Sequence, residues 1–227
     1  MLVVECCLQE GRPAMNGTMN LLIGLAMGLS LVALASSRLP SVIRAAAFQG
    51  MILGTLPLLL EETFHGLVVA VAIGTILVKG FIIPNLLRRA LRAANIDREV
   101  EPLLGFVPSL LLGAAATIGA AALASELPLR PEHARSLLVP GAFATVVCGF
   151  ILLIARTKAI SQVCGYLILE NGIYLFGLLL INTTPLLVEA GILLDLTVAV
   201  FVIGIIVDRI QREFDTLDTR KLNSLRE

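Results

Sequence analysis

Long apolar runs separated by short polar stretches dominate this chain. Seven runs have the roughly 20 apolar residues that a membrane-crossing helix needs, namely residues 18–37, 42–60, 65–87, 103–124, 138–155, 159–181 and 185–207. They are continuous, without the alternating segments of about ten residues that are typical of outer-membrane barrels. The pattern therefore predicts an all-α integral membrane bundle of about seven transmembrane helices.

The composition agrees with a membrane protein and argues against several other classes. Of the 227 residues, 57% are hydrophobic and only 15% are charged, and the mean hydropathy is +0.93, far from a soluble domain. We therefore expect a lipid bilayer and no nucleic acid as the surroundings. Basic and acidic residues balance at 17 each, so the net charge itself carries no information about partners. The four cysteines lack metal-site spacing, and the two histidines flank apolar runs. We therefore expect no cofactor or metal in this chain.

Lysine and arginine are distributed unevenly between the predicted loops. Thirteen of them fall in the C-terminal tail or in the loops after the first, third and fifth spans, against only three (Arg12, Arg130 and Arg135) on the opposite side. Loops rich in Lys and Arg stay in the cytoplasm during membrane insertion. This distribution predicts an external N-terminus and a cytoplasmic C-terminus.

The spans divide the chain into four parts. Residues 1–17 are expected to be an N-terminal tail, since they have no basic region and too short an apolar core for a signal peptide; translation starting at Met15 is the alternative. Residues 18–124 form an N-terminal four-helix part and residues 138–207 a C-terminal three-helix part. Residues 208–227 form a charged cytoplasmic tail, which either meets a soluble partner or is a solvated anchor.

Four ionisable side chains fall inside the predicted spans: Lys79, Glu170, Glu189 and Asp195. A charge at the bilayer centre costs about 2.5 to 3.5 kcal/mol even on lenient scales, so such residues are candidates for function. At about 1.5 Å of rise per residue, Glu170 and Asp195 share a level about 15 Å deep on two spans joined by a short turn. They predict a pair of acids that either relays protons or only hydrogen-bonds two helices. Glu189 lies nearer the surface, as an anchor or as an access point.

The surroundings of Glu170 favour a functional role, whereas Lys79 leaves two alternatives open. Tyr166 and Tyr174 lie four residues before and after Glu170, on the same helix face. Gly177 lies about one turn beyond Tyr174 and is expected to allow close helix approach. Lys79 could extend towards the cytoplasmic interface, or it could face the bundle as a proton carrier or counter-charge.

The C-terminal three-helix part resembles the small subunit K of bacterial NADH:quinone oxidoreductase (complex I) and the C subunit of multi-subunit Na+/H+ antiporters. Subunit K carries a mid-membrane glutamate on each of two adjacent helices and ends in a short basic tail. Glu170 in GYLILENGIYLFG (165–177) matches the first glutamate by context. Asp195 in LLDLTVAVFVIGIIVDR (193–209) corresponds to the second. Because it is an aspartate, the resemblance leaves open whether Glu189 shares its role.

The chain from about Met15 onward is similar to the hydrogenase-4 component E family, a membrane subunit of formate hydrogenlyase and other energy-converting hydrogenase complexes. The similarity lies in the length, the seven spans, the REVEPLL stretch (98–104), the LENGIYLFG helix (169–177) and the LDTRKLNSLRE ending (217–227). It implies a multi-pass subunit of a prokaryotic inner (plasma) membrane. It also implies antiporter-like and other membrane-arm subunits as partners, with a cytoplasmic redox module that holds the nickel–iron and iron–sulfur centres.

Two functions are compatible with these observations. In the first, the chain is a non-catalytic subunit of an oxidoreductase complex, and its buried ionisable residues contribute to the movement of H+ or Na+ coupled to redox chemistry in its partners. In the second, it is an assembly scaffold that joins antiporter-like subunits to the hydrophilic redox module. The acids then only order the helices, and the tail recruits the soluble arm.

Overall fold

The computed structural model describes residues 2–60, 66–93, 102–127 and 136–180. Helices make up almost all of these ranges, which confirms the all-α prediction for this part of the chain. The seventh predicted span (185–207) and the C-terminal tail (208–227) lie outside the described residues. Glu189 and Asp195 therefore lie outside them too.

The helices follow the long apolar runs closely. They are α1 (Leu2–Ala35), α2 (Leu39–Leu60), α3 (Gly66–Leu77), a π-helical turn (Val78–Ile82), α4 (Ile83–Ala93), α5 (Phe106–Glu126), α6 (Leu138–Ala155) and α7 (Ala159–Leu180). The helix α1 already includes residues that we expected to form an N-terminal tail. The helices α3 and α4 continue one another through the π-turn, over the predicted third span.

Four described helices contain a segment long and apolar enough to cross a membrane. These segments are Gly17–Ala35, Leu39–Leu59, Phe106–Glu126 and Leu138–Ala155. The chain is therefore an integral membrane protein by length and composition. The total of about seven spans and the orientation of the termini stay predictions.

The described helices enclose two apolar clusters, one towards each end of the bundle. We call the end where α1 and α6 finish and α2 and α7 begin the basic end, because Arg38, Arg44 and Arg156 lie there. The cluster at the basic end includes Leu34, Leu39, Ile43, Leu87 and Leu152, and the cluster at the far end includes Ile23, Leu53, Leu56, Ala142 and Leu175. The turns of α1, α2 and α7 between these clusters carry buried polar side chains. We call this level the polar layer.

The helices α6 and α7 pack with their backbones almost in contact. A Cβ atom added at Gly165 would lie 2.7 Å from Leu153 N, and one added at Gly172 would lie 2.6 Å from Val146 N. Small residues permit such close approach, which supplies the packing that holds helices together in lipid. Among the described residues, a Cβ atom added at Gly177 meets nothing within 4 Å; the span expected to pack beside it (185–207) lies outside them, so the close approach there stays a prediction.

A buried arginine, Arg156, contacts two other helices at the basic end of the bundle. Arg156 is only 1% exposed, although the sequence shows it only as one of the arginines that set the orientation. Its Nη2 donates to the Leu34 carbonyl at 2.6 Å, and a longer bond of 3.5 Å joins Nη1 to the Leu104 carbonyl. Its guanidinium also lies 4.3 Å from the centroid of the Phe106 ring. The Leu34 contact places a positive charge at the C-terminus of α1, where helix carbonyls carry partial negative charge.

Candidate functional site

The polar layer brings together side chains from four helical segments that are far apart in the sequence. They are Ser30 on α1, Gln49 on α2, Lys79 on the π-turn, and Glu170 and Asn171 on α7, and all five are buried. Apolar clusters lie on both sides along the bundle axis. The site is thus an enclosed polar region in a low-dielectric interior, where charges and hydrogen bonds have strong effects.

A backbone irregularity accompanies the inward position of Lys79. In the π-turn, the N–H of Ile83 donates to the carbonyl of Val78, five residues back. Pro84 has no N–H, and its ring disfavours a regular α-turn against Gly80 four residues earlier. A π-turn holds one extra residue and so changes which side chains face inward; such turns are frequent at functional sites. Lys79 is 6% exposed, so of the two alternatives the structure shows the one facing the bundle.

A glycine on α2 leaves room for the lysine side chain. A Cβ atom added at Gly50 would lie 2.8 Å from Cβ and 3.3 Å from Cδ of Lys79. Contacts below 3.0 Å between such atoms require a shift of the neighbour. The aliphatic stem of Lys79 therefore occupies the space that the missing Gly50 side chain leaves open.

We predict that Gly50→Ala displaces Lys79 and weakens its contact with α7. The added methyl group meets the stem of the lysine near its backbone, where the chain has little freedom to move, and overpacking of this kind costs about 1 to 3 kcal/mol. Thermal unfolding of the purified protein in detergent would measure the loss. Gly28→Ala on α1 is the control, because a Cβ there meets nothing within 4 Å in the part of the chain that the structure describes. Equal stability of the two variants would contradict the prediction.

Lys79 and Glu170 form a buried ion pair. Lys79 Nζ lies 2.7 Å from Glu170 Oε1, and the two residues are 6% and 2% exposed. The contact is close but not aligned as a hydrogen bond, since neither carboxylate oxygen has a hydrogen-bond partner among the described residues. Nζ also lies 5.5 Å from the centre of the Tyr174 ring, within the range of a cation–π contact. The opposite charges offset part of each other's cost of burial.

A chain of hydrogen bonds runs from the ion pair across the bundle. Lys79 Nζ donates to Asn171 Oδ1 at 3.1 Å, and Asn171 Nδ2 donates to Gln49 Oε1 at 3.3 Å. Gln49 Nε2 then donates to Ser30 Oγ at 2.9 Å and to the Ala26 carbonyl at 3.1 Å. We call these bonds the amide chain. It connects the π-turn, α7, α2 and α1.

A small cavity lies beside Lys79. Its volume is about 10 Å³, close to the lower limit for one water molecule. Lys79 and Asn171 line its polar side, and apolar side chains that include Ile43 and Leu87 line the remainder. Ile43 and Leu87 belong to the cluster at the basic end, so the cavity lies where Lys79 meets that cluster.

The structure brings two of the predicted site residues together, since the described partner of Glu170 is Lys79. The expected pairing of Glu170 with Asp195 stays a prediction, because Asp195 lies outside the described residues. Tyr174 contacts Lys79, whereas Tyr166 packs against the apolar cluster at the basic end. Glu189 also lies outside the described residues. In the described ranges, no group of three His, Cys, Asp or Glu residues could hold a metal ion.

Sequence reasoning missed the uncharged members of the site. Gln49, Asn171 and Ser30 are buried. The free energy of burying one amide or hydroxyl is far smaller than that of burying a charge, so such a residue in an apolar run is not a strong sign of function. A usable signal was nevertheless present. Asn171 directly follows Glu170, and Gln49 directly precedes a glycine in the middle of a span.

Known proteins match both the C-terminal part and most of the full chain. Residues 137–227 match the family model of NADH-ubiquinone/plastoquinone oxidoreductase chain 4L. An uncharacterised protein of Mycobacterium tuberculosis, Rv0085, is 35% identical over 219 residues, or 93% of this chain and 99% of that protein. Hydrogenase-4 component E of Escherichia coli K12 and that of Shigella flexneri are each 28% identical over 150 residues, 65% of this chain and 68% of theirs. No solved structure gives a significant match.

The matched ranges separate the two members of the ion pair. The chain 4L match contains Glu170 and Asn171 on α7. It begins well after Lys79 and Gln49, which belong to the N-terminal part. The ion pair thus joins the region shared with chain 4L to helices outside that region.

Proposed function

We propose that this chain, which belongs to the family of Rv0085 and hydrogenase-4 component E, is a non-catalytic membrane-arm subunit of a respiratory-type complex. In this proposal, the Lys79–Glu170 pair takes part in proton or ion translocation coupled to redox chemistry in partner subunits. The partners are antiporter-like and other membrane-arm subunits, together with a cytoplasmic module that holds the nickel–iron and iron–sulfur centres. The complex lies in a prokaryotic inner membrane.

The observation that carries the proposal is the buried ion pair inside the polar layer. Apolar side chains of similar volume generally stabilise a protein core as well as a buried ion pair does, or better. Stability alone therefore does not account for an acid and a base in the middle of the bundle. Ionisable residues inside membrane proteins commonly belong to ion pathways and proton relays, and a cavity of about 10 Å³ lies between Lys79 and side chains of the cluster at the basic end.

The pair can respond to an electrostatic change in two ways. A proton taken up by the Glu170 carboxylate leaves the Lys79 ammonium without its counter-charge. Transfer of a proton from Lys79 to Glu170 instead leaves both groups neutral. Two groups this close titrate together, so a change in charge or hydration caused by a redox module would alter the state of the whole pair. The altered charge state would change the electric field at a neighbouring subunit.

The variant Glu170→Gln tests the proposal in the assembled complex. Glutamine keeps the size and hydrogen-bonding capacity of the side chain but cannot bind or release a proton in this role. We expect electron transfer to continue while the number of protons or ions moved per electron falls severalfold. The measurement compares the redox rate with the pH or ion gradient formed in inverted membrane vesicles.

The control for this measurement is Glu126→Gln. Glu126 is an exposed residue at the end of α5, so its substitution removes one carboxylate outside the polar layer. We expect this variant to keep the ratio of the unmodified complex. A Glu170→Gln complex with full redox activity and full translocation would overturn the proposed function.

The assembly scaffold is the second candidate function, and the amide chain favours it. Its hydrogen bonds tie together α1, α2, α7 and the π-turn, as residues that only hold helices in place would do. Deleting residues 208–227 distinguishes the two functions by native gel electrophoresis of the complex. A scaffold that recruits the soluble arm through this tail would lose assembly, whereas a relay subunit with a dispensable tail would still assemble.

A further inference from the structure

The amide chain has one direction from end to end. At each step a nitrogen on the Lys79 side donates to an oxygen on the α1 side, from Lys79 to Asn171, from Asn171 to Gln49, and from Gln49 to Ser30 and Ala26. Both side-chain amides therefore direct their oxygen towards Lys79 and their NH2 group towards α1. The negative ends of two consecutive amide dipoles face the ammonium group.

This direction stabilises a positive charge at Lys79. A hydrogen bond to a charged group is worth more than one between neutral groups, and hydrogen bonds in a chain polarise one another. The amide groups themselves have no titratable proton in the physiological range. They can therefore set the charge of Lys79, but they do not extend a proton path from Glu170 to α1.

We propose that Asn171 and Gln49 are positioning residues that keep the Lys79 ammonium charged and directed at Glu170. The charged lysine in turn keeps Glu170 ionised in the resting state, ready to accept a proton. Asn171 acts directly on Lys79, and Gln49 acts through Asn171. The role that we assign to the resulting charge state rests on the proposed function, whereas the charge state itself is measurable independently of it.

A purely structural role for the amide chain predicts a different order of effects. Gln49 takes part in three of the hydrogen bonds and is 0% exposed, so its removal should cost more stability than removal of Asn171. A positioning role predicts that the effect on Glu170 is largest for Asn171, smaller for Gln49 and smallest for Ser30. The two roles are thus separated by the order of the three variants.

The experiment measures how fast a hydrophobic carbodiimide modifies Glu170 in the assembled complex in native membranes at neutral pH. Carbodiimides react with the protonated form of a carboxyl group, and mass spectrometry of the peptide reports the modified residue. We expect slow modification in the unmodified chain. Loss of one hydrogen bond to a charged group corresponds to about a tenfold change, which is the increase that we expect for Asn171→Leu. Gln49→Leu should give a smaller increase, and Ser30→Ala a change of less than about twofold.

The control is Thr145→Val on α6. Thr145 is fully buried, and its hydroxyl has no hydrogen-bond partner among the described residues. The variant therefore removes a buried polar group that does not belong to the amide chain. Its modification rate should equal that of the unmodified chain, which would show that altered access of the reagent does not cause the increase.

Each outcome either supports or refutes the positioning role. An unchanged rate in Asn171→Leu, or a larger increase in Gln49→Leu than in Asn171→Leu, would overturn it. If Asn171→Leu does not assemble, Gln49→Leu decides alone, with a faster rate supporting the proposal and an unchanged rate refuting it. Failure of the proposed function would be visible separately, as normal translocation by Glu170→Gln.

Discussion

Lys79→Met is expected to reduce assembly and stability strongly. It leaves the Glu170 carboxylate buried without the cation that lies 2.7 Å away. Removing one partner of a buried ion pair costs about 3 to 5 kcal/mol, a large part of the roughly 5 to 15 kcal/mol that stabilises a folded protein. The amount of assembled complex in membranes and its thermal stability in detergent would measure the effect. Lys158→Met, at the basic end and outside the polar layer, is the control.

The double variant Lys79→Met with Glu170→Gln tests whether the uncompensated carboxylate causes the loss of assembly and stability. It contains no buried charge in the pair, so we expect most of the lost assembly and stability to return. Translocation should not return, because no titratable group is left in the pair. A double variant that assembles and translocates normally would show that the pair is not needed for translocation. A double variant no more stable than Lys79→Met would show that the uncompensated carboxylate is not the cause of the loss.

The sequence predicts the helices well because the length of an apolar run is a direct physical requirement of the bilayer. The same reasoning does not settle where Lys79 points. Its direction depends on the π-turn at Val78–Ile82 and on the space beside Gly50. Neither feature follows from hydropathy. Gly80 and Pro84 were the available signs of an irregular helix, and their effect on the neighbouring lysine became clear only from the packing.

The buried charges could be predicted only in part from the sequence, because their pairing also depends on the tertiary fold. The cost of an isolated charge in lipid identifies Glu170 and Lys79 as unusual, but it does not reveal which residue compensates which. Two residues 91 positions apart in the sequence form the pair, and contacts of that separation require the tertiary fold. Arg156 differs from Glu170 and Lys79, because the sequence does not mark it as unusual. It lies at the end of a span like the other arginines, and its burial against Leu34 and Phe106 has no signature in the local sequence.

Gly165→Ala and Gly177→Ala should change stability in opposite directions, although both make the same substitution on α7. A Cβ at Gly165 would lie 2.7 Å from Leu153 N and 3.0 Å from Leu153 Cα. These are backbone atoms of α6, so relief requires the two helices to separate, at a cost of about 1 to 3 kcal/mol. A Cβ at Gly177 meets none of the described residues within 4 Å. There, the better helix propensity of alanine should stabilise the protein by about 0.5 to 1 kcal/mol.

Separation of α6 and α7 should also displace the side chains of the site, because Glu170 and Asn171 lie on the same helix as Gly165. We therefore expect Gly165→Ala to lower translocation per electron as well as thermal stability, and Gly177→Ala to leave translocation unchanged. Thermal unfolding in detergent and the vesicle assay would measure both variants side by side. Two variants with stability changes of the same sign would contradict the close contact between α6 and α7. A destabilised Gly165→Ala with normal translocation would instead show that the position of Glu170 does not depend on that contact.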